Sequence, residues 1–146
     1  KNNNGLIIFN KYFLPSMVKR KWGRVIAISS ICGIEAKKED RTWFTVSKSS
    51  QHALIKSLSK KFYFTKKNVT FNSISPGPIF IKNTFWDKVR KENPKKYQKY
   101  INDVLPTKYI GQPKDISNLC LFLCSDKANY INGSNLIIDG GVTNTI

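Results

Sequence analysis

The sequence predicts an α/β domain built on a small parallel sheet. Three short runs carry the strand expectation: RVIAISS (24–30), NVTFNSIS (68–75) and NLIID (135–139). The first is β-branched and apolar without polar alternation, as in a strand covered on both faces. Between the runs lie longer stretches whose apolar residues recur every three or four positions, the helical period. Strands alternating with helices imply right-handed crossovers and parallel pairing. A length of 146 residues suits one domain and allows a real core.

The first helix is expected to occupy the opening residues, with Leu6, Phe9, Phe13 and Met17 inward and Pro15 kinking its middle or removing a hydrogen bond. Trp22-Gly23 ends it. After the first strand comes a polar loop, GIEAKKEDR (33–41). A second helix is expected from about Thr42 to Phe64, burying Val46, Leu54, Leu58 and Phe62 as one stripe. The second strand stops at Pro76-Gly77-Pro78. Residues 80–110 form a less regular insertion that includes KVRKENPKKYQKY (88–100). A further helix follows Pro113, with Ile116, Leu119, Cys120, Leu123 and Cys124 on one face. Asn132-Gly133 makes a turn, and Gly140-Gly141 closes the third strand. So small a sheet leaves an edge strand open to partners.

The formal charge of +16 raises nucleic-acid binding as a possibility. The lysines, however, run the length of the chain beside asparagine and isoleucine, as in KNNNG and KKN, whereas a binding face clusters its charge. Segment 88–100 reads as a solvated helix with a basic outer face. No nucleic-acid partner is expected. No apolar run approaches the roughly 20 residues that span a bilayer, so no membrane partner is expected either. Cys32, Cys120 and Cys124 fit no disulfide framework, and the last two read as buried small hydrophobes. Reduced thiols point to the cytoplasm. His52 is the lone histidine, on a different segment from the cysteines, so no metal site is expected.

Four segments, in order, carry a family resemblance: RVIAISSICG, FTVSK, NVTFNSISPGPI and YINGSNLIIDGG. Together they resemble the second half of a short-chain dehydrogenase/reductase. The resemblance implies a Rossmann-type three-layer parallel sheet, represented by its C-terminal portion. It also implies an NAD or NADP cofactor and hydride transfer between a carbonyl and an alcohol of a small molecule. Members of similar appearance include 3-oxoacyl carrier-protein reductases and reductases of sugar or surface-glycan pathways. By the same resemblance Ser30 hydrogen-bonds the substrate carbonyl, with Ser29 its confusable neighbour. Lys48 holds the cofactor ribose and lowers the pKa of a tyrosine, and Asn2 completes the proton relay. Pro76, Gly77 and Ile79 form the loop whose backbone faces the nicotinamide. Residues 80–110 cover the substrate. Their aromatics Phe80, Phe85, Trp86, Tyr97 and Tyr100 either line an apolar pocket or pack the cover onto the sheet. Family members usually pair through two long helices and the last strand, here 1–20, 42–64 and 135–139, so a homo-oligomer is expected.

Two departures stand against the family pattern. The tyrosine position, four before Lys48, holds Phe44, which has no proton to give. The Ser30–Phe44 spacing is also one residue longer than expected, and Ile81 stands where the loop commonly has Thr or Ser. The second departure is the missing glycine-rich turn TGxxxGxG: the glycines at 5, 23, 33, 77, 111, 133, 140 and 141 nowhere form that spacing. These 146 residues therefore read as a fragment of a larger dehydrogenase. Weak or absent dinucleotide binding and marginal solubility are expected of them alone. The alternative is a catalytically silent relative kept as an assembly partner.

Overall fold

The computed structural model describes residues 2–36 and 42–145, with only the backbone of residues 2 and 3 described. The elements are α1 (Asn2–Lys19), β1 (Gly23–Ile28), a 3-10 turn (Ile31–Gly33), α2 (Thr42–Ser59) and α3 (Phe62–Thr65). Then come β2 (Val69–Pro76), α4 (Phe85–Glu92), α5 (Pro94–Val104), α6 (Pro113–Cys124), a 3-10 turn (Asp126–Ala128) and β3 (Asn135–Ile138). The sheet has the order β1-β2-β3 and is parallel throughout, with Ile28 beside Ile74 and Pro76 beside Ile138 at its C-terminal end.

Alternation along the central strand sorts the core into two layers. Val69 and Phe71 of β2 pack with Ala27, Leu14 of α1 and Ile55 of α2 on one face. Ile74 points the other way, into Leu123 of α6 and Ala128. Helices thus cover both faces, the three-layer arrangement expected from alternating strands and helices. Residues 69–75 are all buried because β2 has a strand on each side and helices above and below.

Several expected elements are corrected. β1 ends at Ile28 rather than at position 30: Ser29 N still donates to Ile74 O (2.7 Å), but Ser30 turns away to cap the 3-10 turn. The helix expected over 42–64 stops at Ser59, whose carbonyl accepts from Asn132 Nδ2 (3.1 Å) instead of continuing the helical ladder. Its buried positions are Gln51, Ile55 and Ser59, with Leu54 and Leu58 half-buried, while Val46 and Phe62 are exposed. Steps of four residues advance about 400°, so a strict four-residue series drifts about 40° per step off any one face. Phe9 and Phe13 of α1 are likewise exposed, with Asn10 and Leu14 inward, although Leu6 and Met17 do pack on the core. Pro15 lies inside α1 without ending it. β3, expected over 135–139, ends at Ile138 and alternates exposed with half-buried residues, so one of its faces is open. Cys124 is exposed at the last position of α6, and Cys120 is half-buried. Part of loop 33–41 lies outside the described residues.

Residues 80–110 fold into α4 and α5, with Asn93 Oδ1 accepting from Lys96 N (2.9 Å) at the break. Ile101, Leu105 and Ile110 are buried among Phe80, Trp86, Tyr97 and Tyr100. These aromatics pack the segment together, whereas Phe85 is exposed. Asp87 fastens α4: it accepts from Asn83 N (2.9 Å) and pairs with Arg90 (2.9 Å) and Lys91 (2.8 Å) while only 1% exposed. The hydrogen bond from Lys91, then that from the Asn83 amide, hold its carboxyl well below the usual range. A carboxylate depressed in the folded state stabilises it above the ordinary carboxylate range, and that stability is lost as pH falls through the folded value. Asp87→Asn should therefore raise hydrogen exchange in residues 83–92 at neutral pH and flatten the acid dependence of that exchange.

Candidate functional site

The site forms at the C-terminal ends of the strands, where β1 hands the chain to the Ser29–Ser30 turn. The β1–β2 pairing ends at Ile28–Ile74, and Ser30 and Pro76 each follow two residues later, which brings the turn after β1 beside the end of β2. Ser30 is half-buried, and its Oγ accepts from Cys32 N (3.2 Å), which starts the 3-10 turn. That bond leaves the Ser30 hydroxyl proton free to donate.

Helix α2 brings the remaining groups. Lys48 Nζ donates to Ile28 O (3.0 Å) and to Gln51 Oε1 (3.4 Å), and burial pushes its pKa down. Phe44 stands one turn earlier on the same helix face, its ring centroid 5.7 Å from Nζ. The expected lysine and aromatic are thus brought together, and Lys48 is tied to the residue that precedes the serine pair. Ser29 is the more buried serine, at 6% exposure, and its hydroxyl donates to Lys48 O (3.1 Å). The side chain of Asn2 lies outside the described residues.

Gly33 is required by the docking of this turn on α2. A Cβ there would come within 2.8 Å of the Lys48 carbonyl carbon and of His52 Nε2. Helix backbone cannot yield locally, so Gly33→Ala should destabilise the fold by about 1–3 kcal/mol, read as a lower Tm. Unchanged stability would mean that the turn does not sit against Lys48.

The second wall comes from the loop after β2. Gly77 N donates to Ile138 O (2.9 Å), and a Cβ on Gly77 would lie 2.6 Å from Asp139 Cα. Phe80 N donates to Gly111 O (2.8 Å) and Gly111 N to Pro78 O (3.1 Å), which pins Ile79 beside Gly111. A cavity of about 190 Å³ opens there, lined by Pro78, Ile79, Thr107, Tyr109 and Asp139.

Sequence reasoning named Tyr100 for this region but missed His52. Tyr100 of α5 is half-buried and packs against Trp86, and burial, with a smaller contribution from the Cys32 thiol, pushes its phenol up. His52 lies one turn beyond Lys48, and that four-residue spacing on a helix was the available signal. Its Nε2 is 3.1 Å from Ser29 Oγ and its Nδ1 3.0 Å from Ser73 Oγ. Among the described residues no group of three His, Cys, Asp or Glu side chains could hold a metal ion. No described helix is long and apolar enough to cross a membrane.

A family model described as enoyl-(acyl carrier protein) reductase matches residues 1–143. The 3-oxoacyl-(acyl-carrier-protein) reductase of Aquifex aeolicus is 31% identical over 141 residues, covering 97% of this chain and 53% of that protein. The reductase of the same name from Buchnera aphidicola is 35% identical over 132 residues, covering 90% and 50%. Among solved structures, a 3-oxoacyl (acyl-carrier-protein) reductase from Agrobacterium tumefaciens C58 with NADP bound superposes with a TM-score of 0.87 at 28% identity, covering 96% of this chain and 52% of that one. A 4-hydroxyisoleucine dehydrogenase complexed with NADH gives 0.86 at 30% identity, covering 99% and 57%. The chain spans about half the length of the relatives it matches.

Proposed function

The chain belongs to the short-chain dehydrogenase/reductase family, and from that premise we propose that it forms the carbonyl- and nicotinamide-facing side of an NAD(P)-dependent oxidoreductase. The observation that carries the reading is the fastening of Lys48 to the turn that presents Ser30. An ammonium has three protons. Two of those on Lys48 go to Ile28 O and Gln51 Oε1, which leaves one for a ribose hydroxyl. The close approach of Gly77 to Asp139 and the cavity beside Ile79 suit a flat ring laid against backbone. The residues present fit the nicotinamide-ribose side of the dinucleotide, and the glycine-rich turn for its pyrophosphate is not among them.

The dinucleotide, when bound, supplies or receives the hydride. Ser30 donates its free hydroxyl proton to the substrate carbonyl oxygen and so stabilises charge that develops there. Lys48 orients the ribose and places a positive charge beside position 44. Phe44 packs but gives no proton, so the alkoxide left by hydride addition takes its proton from water, without a positioned general acid. Substrates are small carbonyl compounds, with 3-oxoacyl thioesters and ketone sugars as the two classes to try. The full-length gene product, incubated with deuteride-labelled NADH or NADPH, should deliver one deuterium to the carbinol carbon of the alcohol product. Unlabelled, unreduced substrate in both classes, with the Phe44→Tyr protein as well, would remove this reading.

The exposed apolar surface favours a second reading, in which the chain serves as an assembly partner and Phe44 marks lost chemistry. Ile7, Ile8, Phe9, Tyr12 and Phe13 of α1 are each more than half exposed. Beside them α1, α2 and α3 enclose a groove of about 370 Å³ lined by Leu14, Leu54, Leu58 and Phe64. Contiguous apolar patches of this kind mark interaction surfaces. A second copy of the chain is the occupant proposed for both readings. Sedimentation should give a multimer that Phe9→Lys dissociates. A monomeric wild type would remove the oligomer.

A further inference from the structure

We infer that His52 is a positioning residue: its ring ties the turn that carries Ser30 to β2 and to the helix that carries Lys48. The inference rests on the oxidoreductase reading for the roles of Ser30 and Lys48, while the fastening itself is geometric. Ser29 Oγ lies 3.1 Å from Lys48 O and 3.1 Å from His52 Nε2. A carbonyl oxygen only accepts, so the single Ser29 proton goes to Lys48 O, and Nε2 must bring the other proton.

Across the ring, Nδ1 is 3.0 Å from Ser73 Oγ. Ser75 donates to Asn135 Oδ1 at 2.8 Å, and Ser73 lies 3.1 Å from that same oxygen. With the ring proton on Nε2, Nδ1 is an acceptor, and Ser73 donates to it while Ser75 serves Asn135 Oδ1. The neutral ring with its proton on Nε2 satisfies both ring nitrogens and all three hydroxyls, with Ser75 Oγ a further 3.4 Å neighbour of Nε2. Ser29, Ser73 and Ser75 are 6%, 1% and 0% exposed, so water replaces none of these bonds readily.

A second ring proton would force Ser73 to swing its hydroxyl away to Asn135. Burial disfavours that state first, the Ser30 carbonyl favours it, and the Lys48 charge disfavours it, with the ring pKa lowered on balance. Among the described residues Lys48, on the same helix, is the charged group facing the ring; the turn after β1, with β2 and β3, presents hydroxyls, a carbonyl and an amide. Acidification thus reorients Ser73 and sets a positive charge beside the Ser29–Ser30 turn and Lys48.

The test is nitrogen-resolved NMR of the histidine ring in the full-length protein, with the amides of Ser30, Ile31 and Lys48 followed through the same pH titration. The ring should show the Nε2–H pattern at neutral pH and titrate below the ordinary histidine range, with the three amides shifting at the same midpoint. In His52→Gln, whose amide can still donate to Ser29, the neutral-pH positions should persist and their pH-dependent movement should vanish. An Nδ1–H ring, or amides indifferent to its titration, would overturn the inference. None of these readings uses substrate or cofactor. If dinucleotide binding fails while the coupled shifts remain, the oxidoreductase reading falls alone.

Discussion

Phe44→Tyr is expected to raise carbonyl reduction by about 10²–10⁴-fold, the usual contribution of a positioned general acid. The ring already occupies the right helix face, one turn before Lys48, with its centroid 5.7 Å from the ammonium. A para hydroxyl on that ring would place a phenol beside a partly buried positive charge, which favours the phenolate and lowers the phenol pKa. The gained proton transfer belongs to the transition state, so kcat and kcat/KM should rise together with little change in substrate binding. Reduction by the variant should then fall as pH rises through the phenol pKa, since the donor must be protonated. A variant with a stable fold, bound cofactor and no gain would favour the assembly-partner reading.

Phe71→Ala should cost about 3–5 kcal/mol of stability, the range for deleting a buried phenyl ring. Phe71 is fully buried in the middle of β2, packed on Leu14, Ile55 and Phe64, the last at 5.5 Å between ring centroids. The strand cannot collapse into the space left behind. Phe71 N donates to Asn132 Oδ1 (2.9 Å), and Gly133 N donates to Phe71 O (2.7 Å), which clamps the backbone on the β3 side. For a domain of this size such a loss corresponds to a Tm drop on the order of 10 °C. A loss under about 1 kcal/mol would contradict the placement of β2 at the centre of the sheet, since truncations at that level are typical of exposed sites.

The layers of the fold were legible in the residues because the strands are short, apolar and separated by helical periods. The order of elements and the parallel sheet follow from those periods alone. Which helix face lies inward was less legible. A four-residue series such as Val46, Leu54, Leu58 and Phe62 looks continuous in the chain but winds around the helix, and Gln51 and Ser59 are buried in its place. Polar burial of that kind depends on partners far along the chain: Asn132 holds the Ser59 carbonyl from 73 positions away. The segment after Ile79 was hard to read for a related reason. Its small core joins Phe80, Ile101 and Val142, which are widely separated in sequence.

The site was legible where its chemistry is local. Phe44 and Lys48 are one helical turn apart, and Ser30 follows a strand, so the resemblance could nominate all three. Its support was not legible. Ser29, Ser73, Ser75 and Asn135 are ordinary strand-end residues in the chain, and only the sheet register brings them around His52. The turn's fit against α2 likewise depends on Gly33 having no side chain, a property visible only once Lys48 and His52 stand beside it.

The most direct measurement is a fluorescence titration of the full-length gene product with NADH and with NADPH, repeated on Lys48→Met. Saturable binding of at least one dinucleotide, weakened by tenfold or more in the variant, is the predicted result. One lost charge-assisted hydrogen bond of about 1.5–3 kcal/mol accounts for a change of that size. Equal binding by both proteins, or no binding by either, would contradict the placement of a nicotinamide cofactor against Lys48.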